Sequence, residues 1–136
     1  MKNLLKASKS LNDDTKIKKV IITGGSGFIG TNLIKYLINT TNFKILNIDN
    51  LTYASSKDSL KSISKSSQYQ FLKLDICNPN KLDDVFKHFE PNLVMHLAAE
   101  SHVDRSIEKP GNFIKTNIFG TYNLLMASHN YWNSKR

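Results

Sequence analysis

Thr23-Gly24-Gly25-Ser26-Gly27-Phe28-Ile29-Gly30 (TGGSGFIG) decides the fold of this chain. Gly25-x-Gly27-x-x-Gly30 matches the dinucleotide fingerprint, and Gly24-x-x-Gly27-x-x-Gly30 overlaps it in a second register. Glycine triplets also occur in tight structural turns, so the flanks carry the inference. Residues 17–23 (IKKVIIT) form a short β-branched run, which predicts a strand. Residues 28–38 place Ile29, Leu33 and Leu37 at helical spacing. A strand feeding a glycine bend and then a helix lets the backbone turn at positive φ and brings a phosphate close. The helix start adds free N–H groups and a partial positive charge.

The same strand–helix alternation continues outward from the bend. Residues 43–49 (FKILNID) predict a second strand ending on Asp49, 19 residues after Gly30. A carboxylate there can take both adenosine ribose hydroxyls and repel a 2′-phosphate, which favours NAD over NADP. A polar, serine-rich stretch follows, with a short helix expected around Leu60 and Ile63. Residues 69–74 (YQFLKL) predict the third strand. Asn78-Pro79 supplies a cap and a first-turn proline for a helix with Leu82, Val85, Phe86 and Phe89 on its face, ended by Pro91. Residues 93–98 (LVMHLA) predict a wholly apolar fourth strand. Pro110-Gly111 opens a long last helix with Ile114, Asn117, Ile118, Thr121 and Leu125 on one side.

Strands alternating with helices predict α/β architecture, a Rossmann-type doubly wound parallel sheet. About four strands in the order 3-2-1-4, with helices on both faces, make its first half. Residues 1–16 are expected to be a flexible basic leader, and residues 17–136 a nucleotide-binding domain truncated before a fifth strand. Asp75 follows the third strand at the same sheet edge as Asp49, as a ligand or as a turn former. Ala98-Ala99, just past the fourth strand, would admit a cofactor across the carboxyl end of the sheet or simply pack closely.

Composition removes other classes. The chain has 136 residues and a net charge of +8, but six lysines against two aspartates within residues 1–19 supply half of that excess. No basic run is interleaved with aromatics and no zinc spacing occurs, so no nucleic-acid partner and no metal are expected. Cys77 is the single cysteine, which excludes an internal disulfide and points to a reducing compartment, the cytoplasm. No apolar run approaches the ~20 residues of a membrane span, so no membrane association is expected.

TGGSGFIG resembles the phosphate loop of extended short-chain dehydrogenases/reductases. DNLTYA (residues 49–54), LDI (74–76) and above all HLAAESHVDRSI (96–107) resemble the dTDP-glucose 4,6-dehydratases, a likeness running across residues 17–133. The resemblance implies NAD as cofactor, a nucleotide-sugar substrate such as dTDP-glucose and a homodimer. It implies Gly24, Gly27, Phe28, Ile29 and Gly30 at the pyrophosphate, and Asp49, Asn50, Leu51 and Thr52 at the adenosine ribose. Asp75 and Ile76 would meet the adenine. Leu97, Ala98, Ala99, Glu100 and Ser101 would run under the nicotinamide side with Thr116, and Ser101 would also reach the sugar nucleotide. Asn50 departs from the residue often found there, which leaves its own contact open. An epimerase or decarboxylase of the same superfamily is the neighbouring reading, set aside on HLAAESHVDRS. A stand-alone NAD-binding module is another.

In the resembled family a Tyr-x-x-x-Lys pair and an Asp-Glu pair do the chemistry beyond the fifth strand, so no catalytic residue is assigned in this chain and activity in isolation is not expected. Tyr131/Lys135 has the first spacing, as do Tyr53/Lys57 and Tyr69/Lys73. On a strand, the Tyr69/Lys73 spacing separates the side chains by ~13 Å. The end of a 20-residue helix lies some 30 Å from its start, which puts Tyr131 and Lys135 far from the nicotinamide. Asp104 and Arg105 are expected to pair or serve an interface, His96 to be a satisfied core residue, and His102 to be open to a role in the substrate pocket.

Overall fold

The computed structural model describes residues 18–52, 55 and 57–136. The expected leader, Ile17, Tyr53 and Ala54 lie outside the described residues, as do the side chains of Lys57 and Arg105. Four parallel strands, β1 (Lys19–Thr23), β2 (Lys44–Asp49), β3 (Tyr69–Lys73) and β4 (Leu93–His96), lie in the order β3-β2-β1-β4. The expected order is therefore the observed one. Thr23 pairs with Ile48 on one side and His96 on the other, so the strand ends that carry the polar residues are level.

Strand alternation divides the core. Ile21, Leu46 and Ile48 face one layer with Leu82, Phe86 and Leu124, while Val20, Ile22 and Ile45 face Ile34, Leu37 and Leu60. Full burial of each such side chain stabilises the fold by roughly 1.5–3 kcal/mol. The first helix, α1 (Phe28–Thr40), and a short 3-10 helix (Lys57–Ile63) cover the second face. The helix α2 (Pro79–Phe89) starts as its sequence demands: the Asn78 side chain accepts the Lys81 N–H at 3.1 Å and Pro79 needs no partner. It ends on Glu90 in the left-handed region (φ 52°), followed by fully buried Pro91.

The chain then departs from the expectation. A short helix, α3 (Val103–Glu108), precedes the long one, and the latter is not uniform. It runs as α4 (Pro110–Phe113), a seven-residue π-helical segment (Ile114–Gly120) and α5 (Thr121–Ser134). The wider π turns shift the helical phase, so the expected single stripe splits. Asn117 and Thr121 turn toward β4 and its following loop, whereas Ile114, Ile118 and Leu125 are 50–63% exposed. The buried side is instead Gly120, Leu124 and Ala127. A Cβ on Gly120 would sit 2.7 Å from the Ile76 side chain, so glycine sets how closely the helix approaches the end of β3.

Candidate functional site

Three of the four glycines of TGGSGFIG are required by the protein's own packing, and one is not. Gly24 has φ +70°, and a Cβ on it would fall 2.5 Å from the Ala98 backbone nitrogen. Its glycine lets the bend press against the loop after β4. A Cβ on Gly25 would meet the Asn47 amide, and one on Gly30 would meet the Gly24 carbonyl; both are internal packing demands. Gly27 differs. The nearest atom to a Cβ there is the Gly24 carbonyl oxygen at 3.4 Å, an ordinary contact, and its φ of −78° suits any residue. Nothing in the protein itself demands glycine at 27. The space in front of it is left for an occupant.

Gly27 also caps α1 without a side-chain hydrogen bond, and no acidic residue lies in the first turn. The first N–H groups of that helix are thus unanswered by any capping side chain, which is the arrangement that receives a phosphate. Beside them Phe28 and Ile29 are 85% and 68% exposed, apolar surface at the mouth of the cleft. Asp49, 4% exposed, closes the bend from beneath. Its Oδ2 accepts the Ser26 N–H at 2.9 Å, and its Oδ1 accepts the Leu51 N–H and the Ser55 hydroxyl, both at 2.8 Å. The acid at the tip of the second strand is therefore bonded directly into the glycine bend.

One cleft at the carboxyl end of the sheet is lined by Gly24, Gly27, Phe28, Ile29, Gly30, Asp49, Asn50, Thr52, Asp75, Ile76, Leu97, Ala98, Ala99, Glu100, Ser101 and Thr116. Of the site residues expected from the sequence, only Leu51 is missing from this lining. It turns at φ 55° and contributes its N–H to Asp49 rather than a side chain to the cleft. Ile48, Ser55 and Leu74 line the cleft as well, and sequence reasoning did not single them out. Asp75 does both things open to it, lining the cleft while its Oδ1 accepts the Cys77 N–H at 2.9 Å in a turn. Burial and the neighbouring Asp75 push the Cys77 thiol up to about 11, which leaves it a thiol at neutral pH.

The loop after β4 is held by the last helix. Asn117 accepts the Glu100 N–H at 2.8 Å and donates to the Glu100 carbonyl at 2.9 Å, so one side chain answers both backbone groups of that residue. A buried polar cluster supports the opposite side. Asn47, fully buried on β2, donates to the Ser26 hydroxyl (3.2 Å) and to the Tyr69 hydroxyl (3.0 Å), while its Oδ1 has no partner among the described residues. A polar residue between the apolar Leu46 and Ile48 was the signal for this cluster.

His96 is half-buried at the end of β4 rather than in the core, and it is satisfied by its neighbours as expected. Its Nδ1 lies 2.6 Å from the Thr23 hydroxyl and its Nε2 2.9 Å from that of Thr121. Burial lowers its pKa below the usual imidazole value. The unfolded chain then binds a proton that the folded one refuses, so stability is full above the unfolded pKa of ~6.5 and declines as pH falls through it. The expected result is an unfolding midpoint that drops as pH falls below about 6.5 in the unaltered chain and drops less in His96→Gln. Parallel pH curves for the two proteins would overturn it.

The other candidates lie elsewhere. His102 is exposed and outside the cleft lining, and among the described residues no group of three His, Cys, Asp or Glu could hold a metal ion. Lys135 Nζ binds Glu90 Oε1 at 2.6 Å, which raises the lysine pKa and lowers the carboxyl, and the Tyr131 ring packs on Phe86. That pair fastens the helix end to α2. No described helix is long and apolar enough to cross a membrane.

Comparison with known proteins meets this geometry. The family model described as GDP-mannose 4,6 dehydratase matches residues 21–136. The dTDP-glucose 4,6-dehydratase of Haemophilus influenzae is 50% identical over 115 residues, covering 85% of this chain and 34% of that protein. The crystal structure of a Streptomyces venezuelae dTDP-glucose 4,6-dehydratase with NAD and TYD bound is 30% identical at TM-score 0.78, covering 83% of this chain and 36% of that one. The Bacillus anthracis dTDP-glucose 4,6-dehydratase in complex with NAD is 33% identical at TM-score 0.75, covering 84% and 34%. The chain spans about a third of the length of the curated relatives it matches.

Proposed function

This chain belongs to the GDP-mannose 4,6 dehydratase family, and we propose that it is the NAD-binding portion of a sugar-nucleotide 4,6-dehydratase acting on dTDP-glucose. The observation that carries the reading is Gly27, a glycine that the protein's own packing does not require, at the uncapped start of a helix. A carboxylate bonded into the same bend 2.9 Å away supports it. The first N–H groups of α1 hold the pyrophosphate, with Gly24 and Gly30 shaping the bend and Phe28 and Ile29 flanking it. Asp49, with Asn50 and Thr52 beside it, takes the adenosine ribose. Asp75 and Ile76 border the adenine. Leu97, Ala98, Ala99, Glu100, Ser101 and Thr116 position the nicotinamide, and Ser101 also reaches the sugar nucleotide.

When bound, NAD supplies the oxidation at the sugar C4 and the reduction at C6 that bracket loss of water in the resembled family. This chain's own part is to bind and orient. Ile48, Leu74, Ile76 and Leu97 offer apolar surface that excludes water from the cleft. Pairing of two chains through the exposed flank of the last helix, where Ile118 and Leu125 are 60% and 63% exposed, completes the proposal, with the cytoplasm as its setting.

The test is calorimetric titration with NAD and NADP. Asp49 should hold NAD at least about tenfold tighter, a difference of ~1.4 kcal/mol, because a 2′-phosphate would face its carboxylate. Equal affinities would remove that role from Asp49, and binding of neither would overturn the reading itself.

A further inference from the structure

We propose that Ser55 sets the affinity of the dinucleotide site: its hydroxyl holds, on Asp49, a lone pair that an adenosine ribose hydroxyl takes when the cofactor binds. The inference rests on the NAD reading above. A carboxylate offers about four acceptor positions on its two oxygens. Among the described residues three are filled, by the Ser26 N–H on Oδ2 and by the Leu51 N–H and Ser55 hydroxyl on Oδ1. Among those same residues one position remains, on Oδ2. A ribose diol brings two O–H donors and needs two.

The three present donors are unequal. Ser26 N–H lies within the glycine bend between Gly25 and Gly27, and Leu51 N–H lies in a turn at φ 55°; both are backbone groups that cannot leave without refolding the loop. Ser55 donates through one rotatable hydroxyl, is half-buried and lines the same cleft as Asp49. It is the donor that yields. The ribose then trades one charge-assisted O–H bond to Asp49 for another of the same kind, so that second bond adds little to affinity. Without Ser55, the ribose would displace only water from that position.

Calorimetry on the full chain tests this with NAD and with an NAD analogue lacking both adenosine ribose hydroxyls. Ser55→Ala should bind NAD about three- to tenfold tighter than the unaltered chain. Its affinity for the dideoxy analogue should stay within about twofold, since the analogue makes no bond to the released position. Ser55→Gly serves as a second variant should alanine disturb the loop, and the same pattern is expected. Unchanged or weaker NAD binding by both variants would overturn the proposal and make Ser55 a retained anchor. Failure of the unaltered chain to bind NAD would instead overturn the reading beneath it, so the two failures are distinguishable in one set of titrations.

Discussion

Gly24→Ala will lower the stability of this chain by about 2–5 kcal/mol, whereas Gly27→Ala will leave folding intact and remove dinucleotide binding. At Gly24 two costs add. The left-handed backbone at φ +70° costs a residue with a Cβ ~1–2 kcal/mol, and overpacking costs ~1–3 kcal/mol. The atoms it would strike, Ala98 N and Leu97 C, are backbone and cannot swing aside. For a domain of this size the midpoint should fall by about 10 °C or more in thermal unfolding followed by circular dichroism. At Gly27 the added methyl meets nothing closer than 3.4 Å. Its midpoint should stay within about 2 °C of the unaltered chain, while NAD affinity falls by at least about tenfold because the methyl stands where phosphate oxygens approach the helix start. Equal destabilisation by both substitutions would mean that the whole bend is a structural turn with no space reserved for a ligand.

Phe86→Ala carries the second large effect. Phe86 is 1% exposed, with the Tyr131 ring 5.8 Å away and the Trp132 ring 6.5 Å away, both from the last helix. Removing a buried phenylalanine costs about 3–5 kcal/mol once the cavity is included. The remaining fastening at that end, Lys135 to Glu90, is a solvent-exposed ion pair that salt screens. The last helix should therefore loosen from α2. Its other end carries Asn117 and Thr116, so NAD affinity should fall along with stability although Phe86 lies outside the cleft lining. Trp132, the only tryptophan, reports the change directly through a red-shifted emission. An unshifted emission with an unaltered denaturation midpoint would show that this aromatic cluster does not hold the helix. Phe86→Leu, which keeps most of the volume, should cost less than about 1.5 kcal/mol.

The strand order was legible because β-branched runs, glycines and prolines mark boundaries locally, and parallel crossovers leave few topologies. Asp49 was legible because distance from the glycine bend places it at a strand tip. How Leu51 contributes was not legible, because what it offers Asp49 is a backbone N–H presented by an unusual φ, which its side-chain type does not advertise. Ser55 was invisible for the converse reason, since its role exists only through a partner 6 residues away, and Asn47 stood out as polar in an apolar run without showing that its partner lies 21 residues away. In the last helix, spacing alone cannot foresee π turns that rephase it. Large apolar residues consequently point outward while Gly120 and Ala127 face the sheet.

The imidazole strung between Thr23 and Thr121 has one more consequence. A neutral ring donates from one nitrogen and accepts at the other, so whichever threonine receives its proton, the other must give one. Reversing the tautomer therefore obliges both hydroxyls to rotate in concert. The Thr23 hydroxyl oxygen already accepts the Leu97 and Ala98 N–H groups at 3.3 and 3.4 Å, so its own proton goes to Nδ1 while Nε2–H gives to Thr121, and the sheet's leading edge and the terminal rod are joined in one fixed proton order.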